Sequence, residues 1–142
     1  MLTVRNIRAP HYKETSKGVH LRVLAVAEDQ YSYYVRLRAV NATSHLYRID
    51  TPTVSVVAPL FGARMALRST DEQLTERKFA DVEAYDATEL VTHGSTLVSR
   101  DLRAGAAVEW IMALQKPQRT RSMYEFRLPS DDEGRVRAVV VF

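Results

Sequence analysis

Apolar side chains recur at every second position along most of this 142-residue chain, and this alternation restricts the fold more than any other feature. In residues 31–41 the odd positions are mostly apolar or aromatic, while Arg36 and Arg38 lie between them. A period of two is typical of β-strands that bury one face and expose the other. The sequence therefore predicts an all-β protein. In residues 19–27 the predicted core face is Val19, Leu21, Val23, Ala25 and Ala27.

Three later parts of the chain continue this alternation. Residues 46–58 are interrupted by Pro52, which cannot donate a backbone hydrogen bond to a sheet, so we expect a sheet edge or a bend there. Trp110 lies in the middle of a further apolar row. Residues 123–128 and 136–142 flank a glycine-containing loop and are predicted to pair as a hairpin. We expect the core to contain Val35, Leu37, Trp110 and Phe126.

The segment 69–90 departs from the strand pattern. Ser69 is followed three residues later by Glu72, which fits a capping box, and acidic residues crowd the positions that a helix dipole favours. This pattern predicts a helix of two or three turns over about residues 70–79. Residues 79–90 could extend the helix or begin a strand, because their periodicity fits both.

The spacing of the predicted strands indicates how they are arranged. Short strands about ten residues apart, separated by Gly, Pro and Asn turns, are typical of a two-sheet sandwich with Greek-key connections. A chain of this length can bury roughly 68 to 70% of its unfolded surface, so it needs no disulfide, and it contains no cysteine. Since no internal repeat occurs, the sequence predicts one β-sandwich domain over residues 1–142.

Three stretches also resemble a known family. The chain contains YYVRLRAVNAT at 33–43, LRAGAAVEWIMALQKP at 102–117 and MYEFRLP at 123–129. Their order resembles bacterial and phage immunoglobulin-like accessory modules over about residues 19–142. The resemblance implies an immunoglobulin-like antiparallel sandwich with one short helix in the 69–90 segment. It also implies use as a subunit of a phage particle or of a bacterial envelope or secretion machine, without catalytic residues.

Residue patterns that carry chemistry are missing from the sequence. The four histidines lack the spacing of a zinc site, and there is no glycine-rich phosphate loop and no G-x-S-x-G elbow. We therefore expect no catalytic, cofactor-binding or metal site, and a protein that is not an enzyme.

The sequence gives limited information about the compartment. No apolar run approaches the roughly 20 residues of a membrane-spanning helix, and the first residues lack the features of a secretory leader. We expect synthesis in the cytosol, and a virion component or a processed envelope component would both fit. Asn41, Ala42 and Thr43 match a glycosylation sequon, which matters only for a chain that enters a glycosylating compartment.

Charge is distributed unevenly along the chain. Residues 1–68 hold ten Lys or Arg against four acids, residues 69–93 hold two against seven, and residues 94–142 hold eight against six. Sixteen of the twenty basic residues are Arg, which is enriched at protein interfaces, although a G+C-rich genome would also raise the Arg content. The acidic segment could pair with Arg residues of its own chain or with those of a neighbouring copy, and the sequence leaves both open.

The predicted outward faces of two strands end on aliphatic residues. One face ends on Leu24 and Val26, and the other ends on Val139 and Val141. A solvated face would not hold four aliphatic side chains, so either the 69–90 segment or a neighbouring subunit must cover them. The interface candidates are Leu24, Val26, Arg36, Arg38, Arg135, Arg137, Val139, Val141, Glu72, Glu76 and Glu83.

These observations favour a module that acts by protein contact inside a larger assembly, with other proteins or copies of itself as partners. A net charge of only +3, and the acids Glu109 and Glu125 on the predicted Arg-bearing faces, argue against nucleic acid. The alternative is a ligand-binding sandwich for carbohydrate or nucleic acid. A carbohydrate binder would need a row of exposed aromatic side chains, and Tyr31, Tyr33 and Tyr34 are its candidates.

Overall fold

The structure, a computed structural model, describes residues 3–9, 18–59, 71–80, 85–117, 122–129 and 136–142. These residues form antiparallel strands and one short helix, α1 (Glu76–Ala80), so the predicted all-β class is confirmed. The strands are β1 (Thr3–Asn6), β2 (Gly18–Glu28), β3 (Ser32–Ala42), β4 (Tyr47–Ile49), β5 (Thr53–Pro59), β6 (Glu72–Leu74), β7 (Tyr85–Glu89), β8 (Thr92–Ser95), β9 (Arg100–Leu102), β10 (Ala107–Gln115), β11 (Met123–Arg127) and β12 (Arg137–Val141).

Two five-stranded sheets form a sandwich. Sheet A has the strand order β1-β2-β3-β10-β8, sheet B has the order β6-β12-β11-β5-β7, and β4 and β9 pair in a small third sheet. The predicted hairpin is confirmed, because β11 and β12 are antiparallel neighbours. The break predicted at Pro52 is a bend, since the chain there leaves β4 and enters β5, which lies inside sheet B between β11 and β7.

The core lies between the two sheets and contains most of the residues that the alternation predicts. Three aromatic side chains meet in it from different strands. The rings of Tyr124 and Phe142 stack with centroids 4.1 Å apart, and Tyr33 meets Phe142 edge-on at 5.2 Å. The four predicted core residues are all buried, and they are Val35, Leu37, Trp110 and Phe126.

A β-bulge in β2 reverses the predicted alternation. Val23 pairs with Leu37 of β3, but the next pair in register joins Ala25 to Arg36, so Leu24 is an extra residue. A bulge of this kind shifts every later side chain to the other face. Val26 is therefore fully buried, and the outward position predicted for it is wrong, as is the core position predicted for Ala25 and Ala27.

The predicted helix over residues 70–79 is mostly wrong. Residues 72–74 form strand β6, which pairs with β12, and among the described residues of this segment the helix is limited to the five residues of α1. Thr75 precedes α1, and its hydroxyl accepts the backbone N–H of Lys78 at 3.1 Å, which is the contact of an N-cap residue. Strand pairing with β12 outweighs the local helix signal. Ser69, the first residue of the predicted capping box, lies outside the described residues, as do 81–84, whereas residues 85–89 form a strand.

The same segment covers the aliphatic end of β12. Val139 and Val141 are buried in a second cluster, in which Leu74 of β6 and Phe79 of α1 pack on the outer side of sheet B. Of the two covers that the sequence left open, the segment of the same chain is therefore the one present. The outer face predicted for these two valines is a second core layer.

One side of the sandwich is closed by hydrogen bonds that join the sheets. Ile7 N donates to Leu24 O of sheet A at 2.9 Å, and Arg8 N donates to Asp71 O beside sheet B at 2.8 Å. The side chain of Gln73, which is only 5% exposed, completes this closed side. Its Oε1 accepts the N–H of Val23 at 2.9 Å, and its Nε2 donates to the carbonyl of Leu21 at 3.0 Å.

Substituting Gln73 with methionine is expected to lower the free energy of unfolding by about 1 to 3 kcal/mol, the cost of leaving buried polar groups unpaired. Methionine keeps the length of the side chain, so the loss reports the two hydrogen bonds to β2. The measurement is urea unfolding followed by circular dichroism. Gln115→Met is the matched control on an exposed strand position, and equal stability of both variants would contradict the bridging role.

Candidate interaction surface

The outward side of sheet A is open, in contrast to that of sheet B. Even-numbered residues of β3 and odd-numbered residues of β10 point away from the core, and Arg36, Glu109 and Ile111 among them are exposed. On sheet B several outward residues, among them Met123, Val139 and Val141, are buried in a cluster with Phe79 of α1. We call the open face the outward side chains His20, Arg22, Tyr34, Arg36, Arg38, Val40, Glu109 and Ile111.

A carboxylate organises the arginines of the open face. The register sets Glu109 opposite Arg38, and Glu109 accepts hydrogen bonds from Arg36 Nη2 at 2.7 Å and Arg38 Nη1 at 3.3 Å. The hydrogen bond from Arg36 is the largest cause that holds the pKa of Glu109 below its ordinary value. These ion pairs are therefore present at neutral pH and are lost only as the pH falls through the lowered pKa.

Arg22 adds a charge that this carboxylate does not neutralise. It lies directly opposite Arg38 on the neighbouring strand, and it has no ion pair within the described residues. Its Nε atom is buried without a hydrogen-bond partner there. Like charges on facing strands destabilise a sheet. Three guanidinium groups with one carboxylate thus leave the open face with two positive charges that an anionic partner would neutralise.

Apolar surface lies beside the charged cluster. Ile111 is 47% exposed and stands opposite Arg36, on the face away from the buried Trp110. Sequence reasoning missed Ile111, although its odd position in the alternating row of Trp110 was the signal for an outward side chain. Val40 of the open face is half-buried and adds to this apolar surface.

The three tyrosines of the carbohydrate alternative are not brought together. Tyr33 is buried in the core, Tyr31 is 73% exposed in the turn before β3, and Tyr34 donates its hydroxyl to Asp29 at 2.8 Å. That hydrogen bond raises the pKa of Tyr34, which marks a local polar contact. The described residues therefore hold no row formed by these aromatic rings.

The acidic candidates of the 69–90 segment pair mainly inside the chain. Glu76 binds Arg137 through two bonds, to Nε at 3.0 Å and to Nη2 at 2.8 Å. Glu72 lies 3.4 Å from the ammonium of Lys78 and 3.7 Å from Arg8. The structure thus supports the intramolecular alternative for both carboxylates and places Arg137 under α1. Two other candidates, Glu83 and Arg135, lie outside the described residues.

The remaining candidates fall into separate regions. Arg36 and Arg38 lie together on the open face, as the alternation predicts. Leu24 is half-buried at the bulge, where its carbonyl accepts the N–H of Ile7. Residues proposed as one interface from the sequence are thus divided between the open face, the core and the contact of α1 with sheet B.

Asn41 of the sequon has a structural position. Its side chain is fully buried, and its Nδ2 donates to the carbonyls of His45 and Leu102, both at 2.8 Å. Its Oδ1 accepts from the hydroxyl and the N–H of Thr43. A glycan on Nδ2 is incompatible with these bonds, so the folded chain holds Asn41 as a link between β3 and the strand β9.

Within the described ranges, no group of three or more His, Asp or Glu residues is placed to hold a metal ion. No helix in those ranges has the length and apolar character that a bilayer crossing demands. Comparisons with protein-family models, with curated proteins and with solved structures found no match.

Proposed function

We propose that this protein is a non-enzymatic, immunoglobulin-like interaction module that binds an acidic protein surface through its open face. The observation that carries the proposal is a row of three arginines, Arg22, Arg36 and Arg38, of which Arg36 and Arg38 pair with the carboxylate of Glu109, beside the exposed Ile111. The partner belongs to a larger assembly, for which the resemblance to phage and bacterial envelope modules supplies the setting.

The chemistry of the open face suits a protein partner. Arg presents several donors in a plane and pairs with carboxylates through two parallel bonds. Arg36 and Arg38 are held in place by Glu109, so binding would cost less side-chain entropy than it would for free arginines. An exposed aliphatic residue next to such a cluster is the usual composition of an interface with an apolar centre and a charged rim.

Nucleic acid is the second candidate, because two uncompensated positive charges on a flat sheet also suit phosphates. The carboxylate of Glu109 speaks against it, since it pairs with Arg36 and Arg38 and would face the same phosphates that these arginines bind. A macromolecule with separate carboxylates can place each one opposite an arginine and away from Glu109.

Site-specific photo-crosslinking in the native cell tests the proposal. A photoreactive residue at Ile111 is expected to give one discrete heavier protein species, while the same residue at Leu46, which is 66% exposed outside the open face, gives none. The species should be lost on Arg36→Gln/Arg38→Gln with little change in the melting temperature, because both side chains are exposed and glutamine places no like charge beside Glu109. Equal crosslinking from Leu46 would contradict the proposal, and a nuclease-sensitive product would favour nucleic acid.

A further inference from the structure

We propose that the partner of the open face is a second copy of this chain, which docks the exposed edge strand β7. This inference rests on the proposed function, because it names the partner of the same surface. Two described regions of the molecule carry it: an acidic strand edge and an arginine face, each with charges that no ion pair among the described residues neutralises.

The side of the sandwich opposite to the closed side leaves its strands exposed. There the chain passes from sheet B to sheet A, since Leu90 N donates to Val54 O at 2.8 Å and Val91 O accepts from Gln115 N at 3.2 Å. Strand β7 ends sheet B at this side, and its residues 86–89 are all exposed. An end strand carries backbone donors and acceptors without a neighbour, which another chain can approach.

The acidic segment separates into two groups in the structure. Asp71, Glu72 and Glu76 form ion pairs with basic side chains of the same chain. Asp86 and Glu89 of β7 have no ion pair within the described residues. Among the described residues of this segment, the negative charge that remains available to a partner is therefore on the edge strand.

The spacing of the two charge sets agrees. Glu89 aligns with Ser55 and Asp86 with Ala58, so the two side chains point to opposite faces of β7, and their Cα atoms are three residues or about 10 Å apart. Arg22 lies opposite Arg38 on the neighbouring strand, and Arg36 is two residues from Arg38. The Cα atoms of Arg22 and Arg36 are therefore about 8 Å apart. An edge laid across the open face therefore brings one carboxylate to each of these two arginines.

The two surfaces lie on different parts of the molecule, and this determines the symmetry of the assembly. Contact between different patches is heterologous, so in a pair one copy keeps a free β7 edge and the other keeps a free open face. Such contacts produce a ring or an open row of subunits. A two-fold dimer would use one patch twice and is not expected.

Light scattering over a concentration series tests the inference on the full chain. At low salt the mean mass of the wild-type chain is expected to rise from the monomer value of 16.1 kDa to at least twice that value. At 1 M salt it should return to the monomer value, because the Debye length falls from about 10 Å at 0.1 M to about 3 Å. A mass that stays at 16.1 kDa throughout would overturn the inference.

Charge reversal on each surface identifies the contact. Asp86→Lys/Glu89→Lys and Arg22→Glu/Arg36→Glu should each remain monomeric, whereas an equimolar mixture of the two variants should associate again. Asp101→Lys, a reversal of an exposed acid outside both surfaces, is the control and should associate like the wild type. Association that survives both reversals, or a mixture that stays monomeric, would overturn the inference.

The crosslinking experiment separates this inference from the proposed function. A species from position 111 with the mass of two copies supports both. If a different protein is captured and the purified chain stays monomeric, the proposed function holds and the second copy is excluded. If neither crosslinking nor association occurs, both proposals fail.

Discussion

Replacing Trp110 with alanine is expected to lower the free energy of unfolding by about 3 to 5 kcal/mol, the usual cost of removing a large buried aromatic side chain. Trp110 is 3% exposed and lies on β10, the inner strand that joins β3 to β8. It contacts the main core cluster from the sheet A side. Its removal leaves a cavity that cannot collapse easily, because the neighbouring strands β3 and β8 hold β10 in place. Chemical denaturation measures the loss of stability.

Two further variants test this explanation. Ile111→Ala changes the next residue, which points outward, and should alter stability by less than about 1 kcal/mol. Trp110→Phe keeps an aromatic ring and removes an indole N–H that has no acceptor in the described residues, so it should cost about 1 to 2 kcal/mol. A loss below about 1 kcal/mol for Trp110→Ala would contradict the burial of the Trp110 side chain.

Replacing Arg137 with alanine is expected to lower the free energy of unfolding by about 3 kcal/mol. Arg137 binds Glu76 of α1 and donates to Glu125 of β11 at 3.0 Å, and its guanidinium lies 4.7 Å from the centre of the Phe79 ring. Its bonds with Glu76 are the main reason that its pKa is raised further above the ordinary value. Without Arg137, the carboxylate of Glu125, which is 7% exposed, would keep one ion pair among the described residues, with Arg127.

The controls for Arg137 separate its buried contact from its exposed one. Glu76→Gln removes the exposed partner and should cost less than about 1 kcal/mol, because the Glu76 side chain is largely in water. Arg137→Lys keeps the charge but loses the two parallel bonds, so an intermediate value is expected. Equal losses for Arg137→Ala and Glu76→Gln in thermal and urea unfolding would show that Glu125 contributes nothing to the role of Arg137.

Strand alternation predicts the class of the fold and the centre of its core. Val35, Leu37, Trp110 and Phe126 are buried as expected, because each lies in an uninterrupted strand with one face toward the other sheet. Val26 is misplaced because a single extra residue at the bulge changes the alternation, and no local residue pattern marks that position. Sequence periodicity reports the phase of a strand only as long as its pairing is regular.

The errors around the acidic segment have a different cause. Glu72 carries the local signal of a helix, yet it lies in β6 because the edge of β12 is available for pairing. Val139 and Val141 lie on the outward side of sheet B, as expected, but the segment that covers them comes from more than 50 residues earlier in the chain. Contacts between residues far apart in sequence determine both the strand at Glu72 and the burial of the two valines. Local sequence patterns carry no information about such contacts.

The candidate interaction surface could be predicted only in part. The outward positions of Arg36 and Arg38 follow from alternation within β3. Their common partner Glu109 is on β10, and its position opposite Arg38 depends on a register that joins strands about 70 residues apart. The sequence does not distinguish the acidic residues of the edge strand β7 from Asp71, Glu72 and Glu76, which form ion pairs within the chain. That distinction depends on which strand ends sheet B.

The position of β12 inside sheet B ties folding to the order of synthesis. On the ribosome, β5, β6, β7 and β11 emerge before β12, which lies between β11 and β6. Until then β6 has no neighbouring strand in its own sheet, and Tyr124 lacks the ring of Phe142 that stacks on it. Contacts this distant in sequence close slowly, since loop closure precedes the gain from pairing. A nascent chain that stops before residue 136 therefore holds sheet B in two separate parts.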